Sequence, residues 1–121
     1  MARSRQSAKA AGSRFERTVA DYLAATVSEF IDRRVKTGAA DRGDIANVRT
    51  PDGRRVVVEC KDYAGRFLVS EWLREAETER ANDEAAVGVV VAKRRGIADP
   101  GDQVVMMTLS SLVALLDGRK P

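Results

Sequence analysis

One uninterrupted run of small and β-branched residues, Ala86 to Ala92 (AVGVVVA), constrains the fold more than any other feature of this chain. Such a run is typical of a central strand that is buried on both faces of a sheet. It follows a helical pattern over Val69 to Ala85, which itself follows a strand pattern over Arg54 to Lys61. A strand, a helix and a buried strand in this order predict a parallel crossover, and therefore an α/β fold.

The remaining elements surround this crossover. We predict a flexible basic tail over residues 1–12, and a single domain over residues 13–121, the usual size of one folding unit. The first helix is expected to begin near Ser13, a residue suited to N-capping. The other predicted elements are strands at Phe30–Lys36, Asp44–Arg49 and Val104–Met107, and a closing helix at Thr108–Leu116 that ends at Gly118. The predicted fold is a five-stranded mixed sheet flanked by helices, in the order αβββαββα, with the first three strands antiparallel.

Composition excludes several classes of function. The chain has no histidine, which excludes Ser-His-Asp hydrolases, Cys-His proteases and metal sites with imidazole ligands. Its single cysteine cannot form an internal disulfide, which agrees with a reducing compartment. No apolar run approaches the roughly 18 residues that cross a bilayer, and the N-terminus lacks an apolar leader. We therefore expect a cytoplasmic protein without a membrane partner, whose chemistry depends on carboxylates, lysine, arginine and hydroxyls.

A turn signal joins two of the predicted strands. Thr50-Pro51-Asp52-Gly53 combines a fixed φ, side-chain capping and tolerance of positive φ. If these four residues form the loop, Arg49 pairs with Arg54, and Asp44 lies directly opposite Glu59. Opposed residues have Cβ atoms about 4.5–5.5 Å apart. A register shift of one residue would separate the two carboxylates unless a bulge corrects it.

The strand that contains Glu59 ends in a Glu-Cys-Lys sequence. Side chains alternate along a strand, so Glu59 and Lys61 share one face while Cys60 points to the other. We interpret Cys60 as a small core residue, because the residues at alternate positions are apolar.

This arrangement predicts a site for a hard divalent cation, because Mg²⁺ takes oxygen ligands and usually one or two carboxylates. Its ligands would be Asp44, Glu59 and the backbone carbonyl of Cys60, while Lys61 would hold or deprotonate the attacking water and stabilise the phosphate. Glu16, on the flank of the first helix, is the fourth candidate and would bind a metal through water or position a second ion.

The same residues resemble a known pattern. Gly12-Ser-Arg-Phe-Glu16-Arg17, Gly43-Asp44-Ile45 and Val57-Val-Glu59-Cys60-Lys61 are similar to the PD-(D/E)XK nucleases, and most of all to archaeal-type and phage-encoded Holliday-junction resolvases. The resemblance covers roughly residues 12–95. Gly43 stands where the family name has proline, and Thr37 would take the part of a serine that some relatives place before the aspartate.

The resemblance implies a restriction-endonuclease-like core and Mg²⁺-dependent hydrolysis of phosphodiester bonds, with Mn²⁺ as a substitute. It assigns catalysis to Asp44, Glu59 and Lys61, with Glu16 assisting and Arg17 near the scissile phosphate. It also implies a homodimer that nicks two strands symmetrically.

Basic residues give the chain a net charge of +3 and are clustered in a way that suits a phosphate backbone. The residues that we predict to contact DNA are Arg3, Arg5, Lys9, Arg14, Arg17, Thr37, Arg42, Lys93, Arg94 and Arg95. The alternative is that these charges are only solvated. Glu71 and Glu75 are interpreted as solvating the second helix, and Trp72 as core or dimer packing.

These observations favour a homodimeric, Mg²⁺-dependent endonuclease that acts on branched DNA, in particular on four-way junctions. Two alternatives remain open. One is a restriction- or repair-type nuclease on linear duplex DNA, and the other is a non-catalytic DNA-binding module whose carboxylates are structural.

Overall fold

A five-stranded mixed sheet forms the centre of the fold. A computed structural model describes residues 3–35 and 42–117, and the predictions for Lys36, Thr37 and Gly118 lie outside these ranges. The strands are β1 (Asp32–Arg33), β2 (Ile45–Ala46), β3 (Val56–Lys61), β4 (Val87–Ala92) and β5 (Val104–Met106), and they are adjacent in that order. The helices are α1 (Arg5–Thr26), α2 (Val69–Asn82) and α3 (Leu109–Asp117), with a short 3-10 helix at Pro100–Asp102 before β5.

The predicted order of elements, αβββαββα, is confirmed. Strands β1, β2 and β3 pair antiparallel, β3 and β4 pair parallel through α2, and β5 pairs antiparallel with β4. The edge strands are shorter than predicted, and β1 in particular has only two residues. Strand β4 is buried along almost its whole length, as its run of small and β-branched residues indicates. None of the helices in the described ranges has the length and apolarity to cross a membrane.

The two faces of the sheet carry separate apolar clusters. On one face, Phe15 and Val19 of α1 pack with Ile45, Val58 and Cys60, and part of α3 joins this cluster. On the other face, α2 covers the sheet with Trp72 and Ala76, which pack against Val90 and Ala92. Odd-numbered residues of β3 therefore face α2, and even-numbered residues face α1. The prediction that Cys60 is a buried core residue is confirmed.

Helix α1 begins eight residues before the predicted start, so the prediction of Ser13 as its N-cap was wrong. The N-cap is Ser4, whose side chain accepts a hydrogen bond of 3.0 Å from the backbone N–H of Ser7. The intervening residues include Ala8, Ala10 and Ala11, which favour helix strongly, and Ala11 is buried. The division of the chain into a flexible tail and one domain stays a prediction.

The hairpin between β2 and β3 differs from the prediction by one residue. Arg49 pairs with Arg55 rather than with Arg54, so the loop has five residues instead of four. Arg54 is buried, and its Nη2 donates to the carbonyl oxygen of Ala114 in α3, at 2.8 Å. This contact with a distant helix draws Arg54 out of the strand pairing, and local turn signals do not encode it.

A β-bulge cancels this one-residue shift. The N–H of Val56 donates to the carbonyl of Val48, whereas further along Ile45 pairs with Val58. The chain thus advances three residues on the β2 side (48 to 45) and two residues on the β3 side (56 to 58), which is the signature of a bulge. Asn47 lies in the bulge with φ 69, and its Nδ2 donates to the carbonyl oxygen of Phe30 at 2.8 Å.

Candidate functional site

Asp44 directly precedes β2, and Glu59 lies on the adjacent strand β3. Ile45, the neighbour of Asp44, pairs with Val58, the neighbour of Glu59, and the N–H of Asp44 donates to the carbonyl of Val58 at 2.9 Å. Only 2% of Asp44 and 7% of Glu59 is exposed to solvent. The predicted register is present at the pairing of Ile45 with Val58, and a five-residue loop and a bulge produce it instead of a four-residue turn.

The Asp44 carboxylate is held by the backbone of the neighbouring strand. Its Oδ2 accepts a hydrogen bond of 2.7 Å from the N–H of Cys60. Backbone N–H and C=O groups of one residue point to the same side of a strand, so the Cys60 carbonyl is also directed toward the β2 side. The Asp44 carboxylate and the Cys60 carbonyl are thus both at the side of β3 that faces the end of β2.

Lys61 lies on the same face as Glu59 and is nearly enclosed. Its Nζ is 2.6 Å from Oε2 of Glu75 and 3.7 Å from Oε1 of Glu59, and 5.8 Å from the centre of the Tyr63 ring. Burial by itself would lower the pKa of Lys61, but the hydrogen bond to Glu75 and the negative charge of Glu59 outweigh it and raise the pKa above 10.5. The side chain is therefore a charged ammonium at neutral pH.

Glu75 is the site residue that sequence reasoning missed, because we interpreted it as solvating the helix. It lies on α2 beside Ala76 and three residues after Trp72, and both of those neighbours pack on the sheet. A carboxylate on the flank of a buried helical face is near enough to reach the sheet surface. The position of Glu75 beside the apolar face of α2 was therefore the sequence feature that could have identified it as a site residue. Glu71, in the first turn of α2, is exposed as interpreted. Trp72 is buried, with edge-on contacts to Tyr63 and Phe67.

The structure places Glu16 on the other side of the sheet from this cluster. Its Oε1 accepts a hydrogen bond of 3.0 Å from Nη2 of Arg33. Arg33 pairs with Ile45 and therefore faces α1, whereas Asp44 faces α2. Arg17 also contacts carboxylates, because its Nη1 donates to Asp32 at 2.8 Å and to Asp21 at 3.2 Å.

A groove runs between α1 and the loop after β4. It has a volume of about 540 Å³, and Arg14, Lys93 and Asp62 are among the residues that line it. Arg3 donates from Nη2 to Oδ1 of Asp62 and from Nη1 to its carbonyl, both at 3.0 Å. Asp62 follows Lys61 directly, but the α1 residues that line this groove place it on the opposite side of the sheet from Glu59 and Lys61. The structure thus brings three of the predicted DNA-contacting residues to one surface.

The other predicted DNA contacts are more dispersed. Lys93 Nζ donates to the carbonyls of Arg94 and Ile97, and Nη1 of Arg94 donates to the carbonyl of Asp102 at 3.2 Å. These bonds fix the loop after β4. The remaining predicted contacts that the structure describes are exposed, namely Arg5, Lys9, Arg42 and Arg95. Thr37 lies outside the described residues.

The backbone at Gly43, directly before Asp44, has a conformation that favours glycine. Its φ is +93, and a Cβ added there would lie 2.9 Å from Cγ1 of Val57 and 3.1 Å from the carbonyl oxygen of Val58. Proline holds φ near −65° and cannot adopt this conformation. Glycine before Asp44 is therefore a requirement of this backbone and of its close approach to β3.

The donor set matches a hard cation better than a soft one. Within residues 3–35 and 42–117, no three or more His, Cys, Asp or Glu side chains form a group that would hold a metal ion. The cluster instead offers two carboxylates, Asp44 and Glu59, and the carbonyl of Cys60. Mg²⁺ is commonly bound by one or two carboxylates and completes its shell with water and phosphate oxygens. The residues present thus fit Mg²⁺.

Comparison with protein-family models, with curated proteins and with solved structures found no match for this chain.

Proposed function

We propose that this protein is a metal-dependent endonuclease that hydrolyses phosphodiester bonds in DNA. The observation that carries the proposal is the burial of two carboxylates, that of Asp44 directly before β2 and that of Glu59 on the adjacent β3, with the Lys61 ammonium 3.7 Å from Glu59. Buried carboxylates that lie close together repel each other, and a divalent cation relieves the repulsion. As part of the same proposal, we infer that the core has the restriction-endonuclease-like fold.

Asp44, Glu59 and the Cys60 carbonyl would hold Mg²⁺, or Mn²⁺ in its place, and the ion would supply an activated water and charge stabilisation at the phosphate. The catalytic role that we propose for Lys61 follows from its contacts. Because Glu75 and Glu59 favour its charged form, it would stabilise the negative charge that develops on the phosphoryl oxygens. Glu16 would assist from the α1 side through its contact with Arg33.

The substrate that we propose is branched DNA, and the activity that of a Holliday-junction resolvase in a homodimer. Support comes from the resemblance of the Asp44 and Glu59–Lys61 segments to phage-encoded and archaeal-type resolvases, and from the basic groove between α1 and the loop after β4. Arg14 and Lys93 in that groove would contact the phosphate backbone of one arm. The lone, buried cysteine agrees with a cytoplasmic location, in a bacterial host if the chain is phage-encoded.

The test is cleavage of a synthetic four-way junction and of a linear duplex with the same arm sequences, with and without Mg²⁺. We expect Mg²⁺-dependent cleavage of the junction by the unmodified protein and at least about a 100-fold loss in Asp44→Asn and in Lys61→Met, since each removes a group that acts on the reacting phosphate. Glu71→Gln, which alters an exposed carboxylate on α2, is the matched control and should cleave normally.

The same experiment separates the alternatives. Equal cleavage of the linear duplex would favour a restriction- or repair-type nuclease. Binding of DNA without cleavage by any variant would favour a non-catalytic module. Equal cleavage by the unmodified protein and both site variants would refute Asp44 and Lys61 as the catalytic centre.

A further inference from the structure

Beside the carboxylate cluster, a second feature of the same sheet face has no part in the site described so far. It is a cavity of about 200 Å³ whose lining includes Arg34, Asn47, Arg49, Arg55 and Asp83. We call the part of it formed by Arg34, Arg49 and Arg55 the arginine pocket.

Strand pairing places all three arginines on the α2 face of the sheet. Arg55 is an odd-numbered residue that precedes β3, and Arg49 is its bridge partner. The N–H of Arg34 donates to the carbonyl of Asp44 at 2.7 Å, in the register that puts Arg34 opposite Asp44. Opposed residues of antiparallel strands share a face. The arginine pocket therefore opens on the face that bears Asp44 and Glu59.

The bulge is what allows this arrangement. Asp44 and Arg49 are an odd number of residues apart, so in a regular strand their side chains would lie on opposite faces. The extra residue between Ile45 and Val48 reverses the alternation once. As a result, one strand presents a carboxylate and a guanidinium to the same face.

The charges of the arginine pocket are only partly compensated. Among the residues that line the cavity, three arginines accompany one carboxylate, that of Asp83. Arg55 is bound to Asp83 through Nη2 and the carbonyl oxygen at 2.7 Å and through Nε and Oδ2 at 3.6 Å. Arg49 donates from Nη1 to the carbonyl of Gly53 at 3.0 Å. A guanidinium has five N–H donors, so most donors of Arg49 are not used by this bond.

Arg34 carries the most specific signal. Its Nε is buried and has no hydrogen-bond partner among the residues that the structure describes. A buried donor without an acceptor is destabilising, and a ligand that supplies the acceptor removes this cost. A planar N–H fork favours a phosphate, whose oxygens accept two parallel hydrogen bonds.

We propose that the arginine pocket binds a backbone phosphate of the DNA at a distance from the bond that is cleaved. Arg55 precedes Glu59 by four residues, which corresponds to about 13 Å along β3 at about 3.3 Å per residue. A DNA strand advances about 3.4 Å along the helix axis per nucleotide, so this span is equivalent to about four nucleotides. The pocket thus fixes the register of the substrate on the sheet face. The identification of DNA as the ligand of the pocket rests on the proposed function.

The experiment has two arms. In the first, the arginine Nε–Hε signals of the full chain are followed by NMR while inorganic phosphate is added, and the Arg34 signal is expected to shift. In the second, junction binding is measured in Ca²⁺ over a range of salt concentrations for Arg34→Gln/Arg49→Gln. Each lost phosphate contact reduces the slope of log K against log salt by about 0.9. We expect a less steep slope and weaker binding in the double variant.

Both substituted positions are chosen so that the fold survives. Arg34→Gln removes a buried donor that has no acceptor among the described residues, and Arg55, which binds Asp83, is left unchanged. Arg74→Gln, an exposed position on α2, removes the same charge elsewhere and should leave the slope closer to that of the unmodified protein.

The outcomes distinguish this proposal from the proposed function. An unmoved Arg34 signal together with an unchanged slope overturns the arginine pocket, even where junction cleavage is intact. A phosphate-dependent shift of Arg34 with an unchanged slope shows an anion site that DNA does not occupy, and also overturns the proposal. A less steep salt dependence of binding in the double variant supports the arginine pocket. The cleavage activity of Asp44→Asn is a separate test of the catalytic site.

Discussion

The Glu75 carboxylate lies 2.6 Å from the ammonium nitrogen of Lys61, closer than the 3.7 Å that separates that nitrogen from Glu59 on the same strand. The lysine is thus held between the sheet and helix α2, with a carboxylate on each. A buried ammonium is stable only when it is paired. Helix α2 therefore supplies more than apolar cover, since it contributes one of the two charges that keep Lys61 protonated.

This pairing predicts a specific dependence of stability on pH. The pKa of Lys61 is raised above 10.5 in the folded protein, so the pairing stabilises the fold fully below 10.5 and is lost as pH rises through the folded value. We expect Glu75→Gln to lower the free energy of unfolding at about pH 8, and the difference from the unmodified protein to shrink at about pH 11. Urea unfolding in EDTA measures both, with Glu71→Gln as control. A difference that is the same at both pH values would contradict this account of Lys61.

The backbone at Gly43 predicts that it tolerates substitution less well than another glycine with a similar φ. Gly43 and Gly53 have φ of +93 and +87, but only at Gly43 would a Cβ meet other atoms, 2.9 Å from Cγ1 of Val57. We expect Gly53→Ala to cost about 1–2 kcal/mol from conformation alone, and Gly43→Ala to cost about 1–3 kcal/mol more from overpacking. Urea unfolding measures both. Equal losses of stability in the two variants would mean that β2 and β3 can move apart to accommodate the added methyl group without destabilising the fold.

Much of the fold could be predicted from the sequence, because its strongest signals are local. The apolar run of β4, the helical pattern of α2 and the strand before it specify the parallel crossover without reference to distant residues. The start of α1 was less accessible, because both Ser4 and Ser13 can cap a helix and the alanines between them favour helix without marking its first turn.

The register of the hairpin was predicted, but its cause was not. The pairing of Ile45 with Val58 agrees with the predicted register because two one-residue departures cancel, namely the five-residue loop and the bulge. Each depends on a contact with a remote element, that of Arg54 with Ala114 and that of Asn47 with Phe30. Glu75 was missed for a similar reason, since its partner Lys61 is reached only once α2 is packed on the sheet.

The bulge at Asn47 predicts a difference between two substitutions. Glycine accepts a φ of 69 and loses only the hydrogen bond to Phe30, so Asn47→Gly should cost about 0.5–1.5 kcal/mol. Valine also opposes the positive φ and favours a regular strand, which should add about 1–3 kcal/mol. A regular strand with the same loop would place Ile45 opposite Glu59. We therefore expect Asn47→Val to lose far more junction cleavage than Asn47→Gly, and equal activities would contradict this assignment of the bulge.

Metal binding predicts a stability change that requires no DNA. A cation bound only by the folded state adds about 2.7 kcal/mol at 100 times its dissociation constant. We expect Mg²⁺ to raise the melting temperature of the unmodified protein and of Glu71→Gln, but not that of Asp44→Asn. Without metal, Asp44→Asn should be no less stable than the unmodified protein, because an amide oxygen can still accept the Cys60 N–H and one of two opposed charges is removed. A Mg²⁺ response that Asp44→Asn retains would place the cation elsewhere.

The hairpin between β2 and β3 carries one surplus residue in its loop and another in its bulge, and neither residue is needed to bring the two acids together. A trimmed hairpin that lacks Asn47 and one residue of the 50–54 loop would keep Asp44 across from Glu59 with regular alternation throughout. Arg49 would then lie four residues from Asp44 in the shortened strand, so it would keep Arg55 as its partner and stay on the same side of the sheet as the acids. A protein engineer who shortened this hairpin would thus preserve both the acidic pair and the neighbouring guanidinium.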